Sequence, residues 1–539
     1  MTLATSAVLV VVLFPSTSFA GRIFPVGPID AGTGEDAIQV GAAIGNRQAW
    51  AGFAQETAGA TRLYIRYARN GRFRTSAQLA DRGNEVTAGG LVGDGRGNAL
   101  VVWEEQVGND GVIFSRRLGN GVFGPVIRVS PPGSNAEFGD FMNAQDRGRS
   151  LAMSRTGAAA LCYDDGNDHF VASLAAGAGS WVRHEIPREC IDNNDNSDLG
   201  IDDRGNIVAL TLDGAELFAD KIIRGQVISE RVADDVGNQN SLAVSPGGSA
   251  LAVGRDNDMN VFARRKADVA LGGPWTRVGG NLQQGLLIDD GRSPEDPNAA
   301  MDSRGNGIVA FRDNSMNGGQ GLYRLLSAGI PGRGGVLFTS IGRASRIRLG
   351  VDRLGRPFTL YTKARTLDAN GETVTTSTYA RIFARGNPGA DRALAPGILD
   401  SFAPNTLGFA VDLRGNFLAL PYDFTNINLT RVLGTLGDFS RPNVRPRAFR
   451  RSPRAGQRVR LASRPFDSFK LTRPGDVLWS LPRGVRVVQA FKRSPRRARG
   501  RKIRVRFRRA GRYRIRVKIG DGSGNSRTKT LRIRVRRAR

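Results

Sequence analysis

The stretch Gly93-Asp94-Gly95-Arg96-Gly97-Asn98-Ala99-Leu100-Val101-Val102-Trp103 contains the pattern that decides the fold. An Asp or Ser side chain starts a turn by bonding to backbone two residues on, and glycine supplies the positive φ that closes it. The alternating residues that follow are typical of a half-buried strand. Related copies occur at 153–158, 201–206, 244–249, 301–306, 351–356 and 411–416, with a weaker one at 41–46.

Each copy continues into a second hairpin. An apolar strand ending in arginine, such as Leu63–Arg66, is followed by a Gly-aromatic turn, such as Gly71–Phe73, and another strand. Eight such units start about 53 residues apart, and the two hairpins of each unit supply four short strands. Radially repeated units of this kind predict an all-β fold, a β-propeller of seven or eight four-stranded blades over residues 22–440. A solenoid is the alternative.

These turns resemble those of secreted bacterial propellers with Asp-box-like repeats. An Asp-box of the sialidase kind has the pattern Ser-x-Asp-x-Gly-x-Thr-Trp, and the Thr-Trp pair is missing from every copy here. The resemblance implies a propeller architecture and does not carry over a sialidase active site.

The N-terminus predicts export. Residues 7–14 are apolar, and Ser18-Phe19-Ala20 places small residues before a cleavage point, so residues 1–20 are interpreted as a signal peptide and the mature protein as secreted or cell-wall-associated. A buried first strand is the alternative. No later run is long enough to span a membrane. In an oxidising compartment Cys162 and Cys190 would form one disulfide.

A column of acids recurs seven residues past the end of each repeat turn. Six of the eight positions are acidic: Glu105, Asp165, Asp213, Asp256, Asp313 and Asp423. Phe53 and Lys363 occupy the other two. One interpretation is structural, with each acid paired across its hairpin to a cation of the third strand. The other is a ring of carboxylates that binds a ligand on one face of the propeller.

One loop resembles a calcium site of the EF-hand kind. Oxygen-bearing side chains alternate there, and the candidate ligands are Asp192, Asn194, Asn196, Asp198 and Asp203. Ser197 replaces the usual glycine, and Asp203 replaces the bidentate Glu. A solvated Asx-rich loop is the alternative, and no other cofactor is predicted.

Charge divides sharply near residue 440. Residues 440–539 contain 35 Lys and Arg but three Asp and Glu, whereas the remainder is nearly balanced. Residues 441–453 are interpreted as a Pro/Arg linker, and 454–539 as a β-sandwich with arginine on alternate positions. The segment from Gly511 to Val535 resembles the end of an Ig-like or PKD-type domain, with Trp479 as its core tryptophan.

Neighbouring like charges repel, so a polyanion is the expected partner of this module. Arginine suits phosphate and carboxylate because its planar fork binds them bidentately. The candidate residues are Arg504, Arg506, Arg514, Arg516, Arg532 and Arg534. Genomic composition is the competing explanation of the charge.

The sequence therefore predicts a non-enzymatic extracellular binding protein, with the propeller as recognition platform and the basic module as anchor. The expected partner is an anionic cell-wall polymer or acidic glycan, with nucleic acid less favoured, and a monomer is compatible with the sequence. A secreted glycan- or polymer-degrading enzyme with its site on the propeller's loop face is the alternative. The repetition of the acids argues against it, because catalysis needs one distinctive pair.

Overall fold

The computed structural model describes residues 22–30, 37–74, 77–108, 110–137, 150–189, 198–284, 286, 294–315, 318–341, 347–367, 373–384, 386–398, 408–426, 429–439, 443–450, 452–466, 477–494, 496–520 and 525–538. Within these ranges all regular structure is β-strand, and no helix long and apolar enough to cross a membrane occurs. The predicted signal peptide, residues 1–20, lies outside them.

After β1 (Arg22–Pro28), the next nine strands form one sheet made of two antiparallel groups. The groups meet at a single parallel contact of Gly41 with Leu91. A Cβ at Gly41 would lie 2.6 Å from the Leu91 carbonyl oxygen, so glycine permits this close approach. The strands are β2 (Ala37–Gly45), β3 (Gln48–Thr57), β4 (Ala60–Arg69), β5 (Arg72–Phe73), β6 (Gln78–Leu79), β7 (Val86–Gly93), β8 (Ala99–Val107), β9 (Asp110–Gly119) and β10 (Val122–Arg128).

Five further antiparallel sheets follow along the chain, each built from consecutive strands. The first contains β11 (Ala136–Glu137), β12 (Leu151–Met153), β13 (Ala159–Asp165), β14 (Asp168–Leu174) and β15 (Val182–Ile186). The second contains β16 (Asp198–Ile201), β17 (Ile207–Asp213), β18 (Glu216–Ile223) and β19 (Gln226–Ala233), and the third β20 (Val236–Val244), β21 (Ala250–Asp256), β22 (Val261–Lys266) and β23 (Thr276–Arg277). The fourth contains β24 (Pro294–Met301), β25 (Gly307–Ser315), β26 (Gly318–Ser327) and β27 (Ile330–Ser340), and the fifth β28 (Arg348–Val351), β29 (Pro357–Leu367), β30 (Thr373–Ala384), β31 (Asn387–Pro388) and β32 (Arg392–Ile398).

The last sheet of the repeat region joins both ends of that region. It contains β33 (Gly408–Val411), β34 (Phe417–Leu420), β35 (Tyr422–Asn426) and β36 (Leu429–Asp438). Strand β1 pairs antiparallel with β36, from Arg22 opposite Asp438 to Pro28 opposite Leu433. Backbone hydrogen bonds therefore close the repeat region on itself.

The first strands of successive groups stand around one central cavity. β2, β7, β12, β16, β20, β24, β28 and β33 each contact the next, and β33 returns to β2. The cavity between them measures about 530 Å³ and is lined mainly by small and apolar residues. Sheets arranged radially around a common axis, with the first strand of each innermost, constitute a β-propeller.

The repeat turns adopt the predicted hydrogen-bonding pattern. At Asp412, one carboxylate oxygen accepts the backbone N–H groups of Arg414 (2.8 Å) and Asn416 (2.9 Å), and the other accepts the Asn416 side-chain amide (2.8 Å). Gly415 has φ of 84°, the left-handed conformation that closes the turn. Asp94 and Asp202 repeat the same three bonds.

The basic C-terminal part forms two sheets around one hydrophobic core. One sheet has the order β37-β38-β43-β40 and the other β41-β42-β39-β44-β45. Trp479 is completely buried in the shared core, and its indole N–H donates to the Gly500 carbonyl oxygen at 2.8 Å. The strands are β37 (Asn443–Ala448), β38 (Arg458–Phe466), β39 (Val477–Ser480), β40 (Val485–Gln489), β41 (Lys492–Ser494), β42 (Arg497–Arg499), β43 (Lys502–Phe507), β44 (Gly511–Gly520) and β45 (Ser526–Val535).

The segment 441–453, interpreted from sequence as a linker, contains strand β37. Its residues pair antiparallel with β38, from Asn443 opposite Phe466 to Ala448 opposite Leu461. Val444 is buried in the core while Arg445 and Arg447 are exposed, so the segment follows the same alternation as the other strands. The prolines and arginines of this segment are typical of a linker, and they led to that interpretation. A strand is nevertheless possible, because Pro446 lies in an outer strand of the sheet, where proline is tolerated.

Candidate functional site

Alternate residues of the C-terminal strands place apolar side chains in the core and cations in solvent. In β43, Ile503, Val505 and Phe507 are buried while their arginine neighbours are exposed. Strand β44 and the second half of β45 alternate in the same way. All six arginines predicted to bind a polyanion are exposed: Arg504, Arg506, Arg514, Arg516, Arg532 and Arg534.

Strand register brings these arginines directly opposite one another. In the five-stranded sheet, Arg514 pairs with Arg532 and Arg512 with Arg534. In the four-stranded sheet, Arg504 lies opposite Arg460 and Arg506 opposite Arg458. Residues two apart in a strand repeat at about 6.6–6.8 Å, and neighbouring strands lie about 4.8 Å apart. Each outer face is therefore a two-dimensional array of guanidinium groups, and we call the two faces together the arginine faces.

The sequence offers these faces almost no internal counter-charge. Residues 477–520 contain no Asp or Glu, and the three acids of the C-terminal part, Asp467, Asp476 and Asp521, lie outside the described residues. Like charges directly opposite in a sheet destabilise it. Folding therefore concentrates positive charge that an external anion can neutralise.

In the propeller, the best-buried acid of the predicted column has a structural role. Glu105 is fully buried and accepts three hydrogen bonds of 2.8 Å, from the Trp103 indole N–H, the Arg82 backbone N–H and the Asn84 amide. These bonds fasten the connection before β7 to the end of β8. Its carboxylate is turned into the protein and away from a ligand.

The other acids of the column have unlike surroundings. Asp313 is also fully buried and accepts from the Gln320 amide at 3.0 Å. Asp165 pairs with Arg183 at 3.2 Å. The Asp213 side chain is 71% exposed and lies 3.8 Å from Arg188. The column also includes Asp256, which accepts the Asn260 backbone N–H at 2.7 Å, and Asp423, whose side chain lies outside the described part.

At Glu105 and Asp313, the strand register does not pair the acid with the third-strand cation of its own hairpin. Glu105 lies opposite Val112, whereas Arg116 lies opposite Val101, four residues away. Asp313 lies opposite Gln320, whereas Arg324 lies opposite Val309. Asp423, whose side chain lies outside the described part, is in register with Arg431. The Arg431 guanidinium also binds Asp30, with distances of 2.8 and 3.0 Å. The regular spacing of acids and cations in the sequence does not reveal this four-residue offset, because the third strand runs antiparallel to the second.

Three third-strand cations connect their sheet to the outer part of the preceding one. Arg66 of β4 donates to the carbonyl oxygens of Pro28 and Asp30, beside β1. Arg324 of β26 donates to the Leu282 carbonyl oxygen at 2.8 Å, beyond β23. Arg381 of β30 donates to the Leu337 carbonyl oxygen in β27. These contacts are long-range in sequence, and the repeat alone could not reveal them.

At the position of the column that Lys363 occupies, the side chain is a cation, and Asp391 supplies the carboxylate that it binds. Lys363 binds Asp391 at 2.7 Å, and the same carboxylate accepts from Arg381 and the Tyr361 hydroxyl. Burial would raise the pKa of Asp391, but hydrogen bonds from Arg381, Lys363 and Tyr361 outweigh it and lower the pKa to about 2. Burial raises the pKa of Tyr361, and its hydrogen bond to Asp391 adds to the rise.

The central cavity does not collect the predicted acids. Its described polar side chains are Gln39, Ser150 and Arg348, and none of the five column acids with described side chains lines it. Since the column lies at the β-hairpins between second and third strands, its members stand one strand away from the axis.

The two described ligands of the predicted calcium loop contact different parts of the protein. Asp198 is buried and accepts from the Leu242 backbone N–H at 2.7 Å and from the Ser241 hydroxyl at 2.9 Å. Asp203 pairs with Arg155 at 2.5 Å. Asp192, Asn194 and Asn196 lie outside the described residues. Within the described part, no group of three or more His, Cys, Asp or Glu side chains is placed to hold a metal ion.

The sheet formed by β11 to β15 carries the remaining candidates. Cys162 is buried in β13, and its predicted partner Cys190 lies outside the described residues, so their pairing stays a prediction. His169 Nδ1 lies 2.8 Å from an Asp164 oxygen. His184 Nε2 lies 3.0 Å from the Ser173 hydroxyl, and burial lowers the pKa of His184.

Two features of the structure were not predicted from the sequence. The repeat turns carry arginines, of which Arg155 binds Asp203 of the next turn and Arg204 binds Asp202 and Asp268. Their signal was present in the repeat itself, which reads Asp-x-Arg-Gly-Asn in several copies. In the C-terminal module, the Phe491 side chain is 82% exposed. Its signal was an aromatic residue followed by Lys492 and Arg493.

No family model matches the sequence. No curated protein matches it either. Among solved structures, the chain is similar to a prolyl endopeptidase from a structural and mechanistic study of two such enzymes, with a TM-score of 0.42 and 12% identity over 72% of this chain and 53% of that one. The chain thus spans about half the length of that enzyme. It is also similar to the Dos1 propeller, with a TM-score of 0.37 and 9% identity over 77% of this chain and 93% of that one. These likenesses concern the fold alone, an all-β protein with a β-propeller.

Proposed function

We propose that this protein is a binding protein of the cell exterior or cell wall, in which the arginine faces attach it to an anionic polymer. The observation that carries the proposal is the register of these faces, where arginine lies opposite arginine in both sheets. Such an arrangement lowers the stability of the isolated fold. A bound polyanion would remove that cost and release counterions as it binds.

The array suits a polymer better than a single small anion. Four of the five strands of the second sheet carry cations, and only the central β39 has none. Across β39, Arg516 aligns with Arg497 through Ser480, and Lys518 aligns with Arg499 through Leu478. Cations therefore lie in register on both sides of β39. A chain of phosphates or carboxylates can contact several of them at once, since arginine binds either group bidentately.

We further propose that the two C-terminal sheets form an Ig-like sandwich of the PKD type, and that the eight strand groups of the propeller are eight blades. The shared core around Trp479 and the closed contact order of the inner strands support these assignments. In this proposal the propeller presents loops for recognition while the sandwich supplies attachment. Signal-peptide cleavage after Ala20 would deliver both to the exterior.

Salt-dependent binding of the full-length protein tests the proposal. The probes are inorganic polyphosphate, polygalacturonate, double-stranded DNA and neutral dextran. A variant with Arg514, Arg516, Arg532 and Arg534 changed to Gln removes four cations from one face. Its control changes four exposed propeller arginines to Gln: Arg96, Arg304, Arg333 and Arg353.

We expect wild type and control to bind polyphosphate or polygalacturonate and not dextran. The slope of log affinity against log salt should be smaller by about three to four for the face variant, roughly one per lost contact. Equal binding by the face variant and wild type would contradict the proposal, as would an equal loss in the control. Preference for DNA over both other polymers would replace the cell-wall partner with nucleic acid.

A further inference from the structure

Phe491 is the most exposed large apolar side chain among the described residues. Its side chain is 82% exposed, between β40 and β41. The backbone holds it firmly, because its N–H donates to the Arg499 carbonyl oxygen at 3.1 Å. Behind it lies Gly500, where an added Cβ would come within 3.3 Å of the Phe491 Cβ. The ring is therefore presented outward by an ordered backbone.

Cations follow Phe491 along the β41–β42 hairpin. Lys492, Arg493, Arg496, Arg497 and Arg499 are all exposed, and no acid occurs between residues 477 and 520. The Arg493 guanidinium donates to the Val488 carbonyl oxygen at 3.0 Å, which folds that side chain back beside the hairpin. An exposed apolar ring next to a basic hairpin is complementary to a surface that is negatively charged outside and apolar beneath.

We propose that Phe491 and the adjoining strands β41 and β42 dock on an anionic phospholipid bilayer, with the Phe491 ring inserted below the headgroups. The inference rests on the proposed function, since the same basic module supplies the electrostatic attraction. Cations near an anionic leaflet each strengthen attachment, and an apolar side chain buried at the acyl boundary adds the second signal that stable attachment needs.

Among the described side chains of this module, one other phenylalanine is exposed, and its surroundings differ from those of Phe491. Phe449 is 49% exposed, and the guanidinium groups of Arg447 and Arg460 lie 4.8 and 4.9 Å from its ring centroid. The protein's own cations thus cover its faces. Binding of single-stranded nucleic acid would need several aromatic rings in a row, and the described part of the β41–β42 hairpin offers Phe491 alone.

The test compares full-length wild type, Phe491→Ser and Phe449→Ser. The probes are vesicles of phosphatidylglycerol and phosphatidylcholine in equal parts, vesicles of phosphatidylcholine alone, inorganic polyphosphate and single-stranded oligonucleotide. We expect Phe491→Ser to weaken binding to the anionic vesicles about tenfold, the effect of withholding one apolar side chain from the bilayer. Polyphosphate affinity should stay unchanged, and Phe449→Ser should match wild type on both. A Phe491→Trp variant should gain fluorescence quenching by brominated lipid relative to wild type.

The outcomes separate this inference from the proposed function. If wild type and Phe491→Ser bind anionic vesicles equally while both bind polyphosphate, membrane insertion is wrong and polyanion binding stands. If wild type binds neither vesicles nor polyphosphate, both proposals fail. If Phe491→Ser loses oligonucleotide affinity by as much as vesicle affinity, the ring stacks on bases and the membrane assignment is overturned.

Discussion

Replacing Asp412 with alanine should destabilise the propeller through a single turn. The side chain is buried and accepts three hydrogen bonds, one from Arg414 and two from Asn416. Asn416 is itself fully buried, so the two groups that it donates lose their acceptor where water does not reach. Each such group costs about 1–3 kcal/mol, so the free energy of unfolding should fall by about 3–5 kcal/mol.

Two matched variants give the expected order of effects. Asp412→Asn keeps an oxygen for the backbone N–H groups and loses one acceptor, for about 1–2 kcal/mol. Burial also raises the pKa of Asp412, against the lowering effect of its hydrogen bonds, so a neutral isostere is tolerated. Asp213→Ala removes a 71% exposed carboxylate of the acid column and should change stability by less than about 0.5 kcal/mol.

Urea unfolding of the full-length variants, followed by tryptophan fluorescence, measures these differences from the midpoint and slope. The reasoning would be refuted if Asp412→Ala cost less than about 1 kcal/mol, because the buried donors would then find other partners. It would also be refuted if Asp412→Ala and Asp213→Ala were equivalent.

Three further predictions concern other parts of the molecule. The pKa of Asp391 is about 2 in the folded protein, compared with its ordinary value of 3.8. Its carboxylate therefore contributes stability that is present above pH 3.8 and lost as the pH falls towards 2. The difference in melting temperature between wild type and Asp391→Asn should shrink over that interval. Trp479→Ala removes the largest core side chain of the C-terminal module and its bond to Gly500, so chemical denaturation should register a loss of about 3–5 kcal/mol, with a smaller loss for Trp479→Phe. If Cys162 and Cys190 form a disulfide, the intact mass of the non-reduced protein should be lower by two hydrogens than that of the reduced protein. Cys162→Ser should then lower the free energy of unfolding by about 2–4 kcal/mol. Two free thiols in the non-reduced protein would rule out the pairing.

The parts of the fold that sequence predicted correctly depend on local chemistry. The turn at Asp412 is complete within five residues, since side chain, backbone donors and the glycine all belong to one short segment. The strands of the C-terminal module are equally readable, because buried and exposed positions alternate with the period of a strand.

The acid column shows which features of the propeller could not be predicted from the sequence. Its spacing correctly placed Glu105 and Asp313 at the hairpin between second and third strands. Their partners could not be predicted, because Glu105 bonds to Arg82 and Asn84, more than twenty residues earlier. Whether an acid faces solvent or the interior depends on these distant contacts, and the column contains both kinds.

By itself, the sequence determined the repeat, the turn chemistry, the apolar and basic alternation of the C-terminal strands and the division of charge near residue 440. These features follow from bonds within a few residues and from side-chain period. Tertiary structure alone decided the closure of β1 on β36, the pairing of arginine with arginine across strands, and the outward position of Phe491. Each of these depends on register and on contacts between residues far apart in the chain, which only the packed backbone brings together.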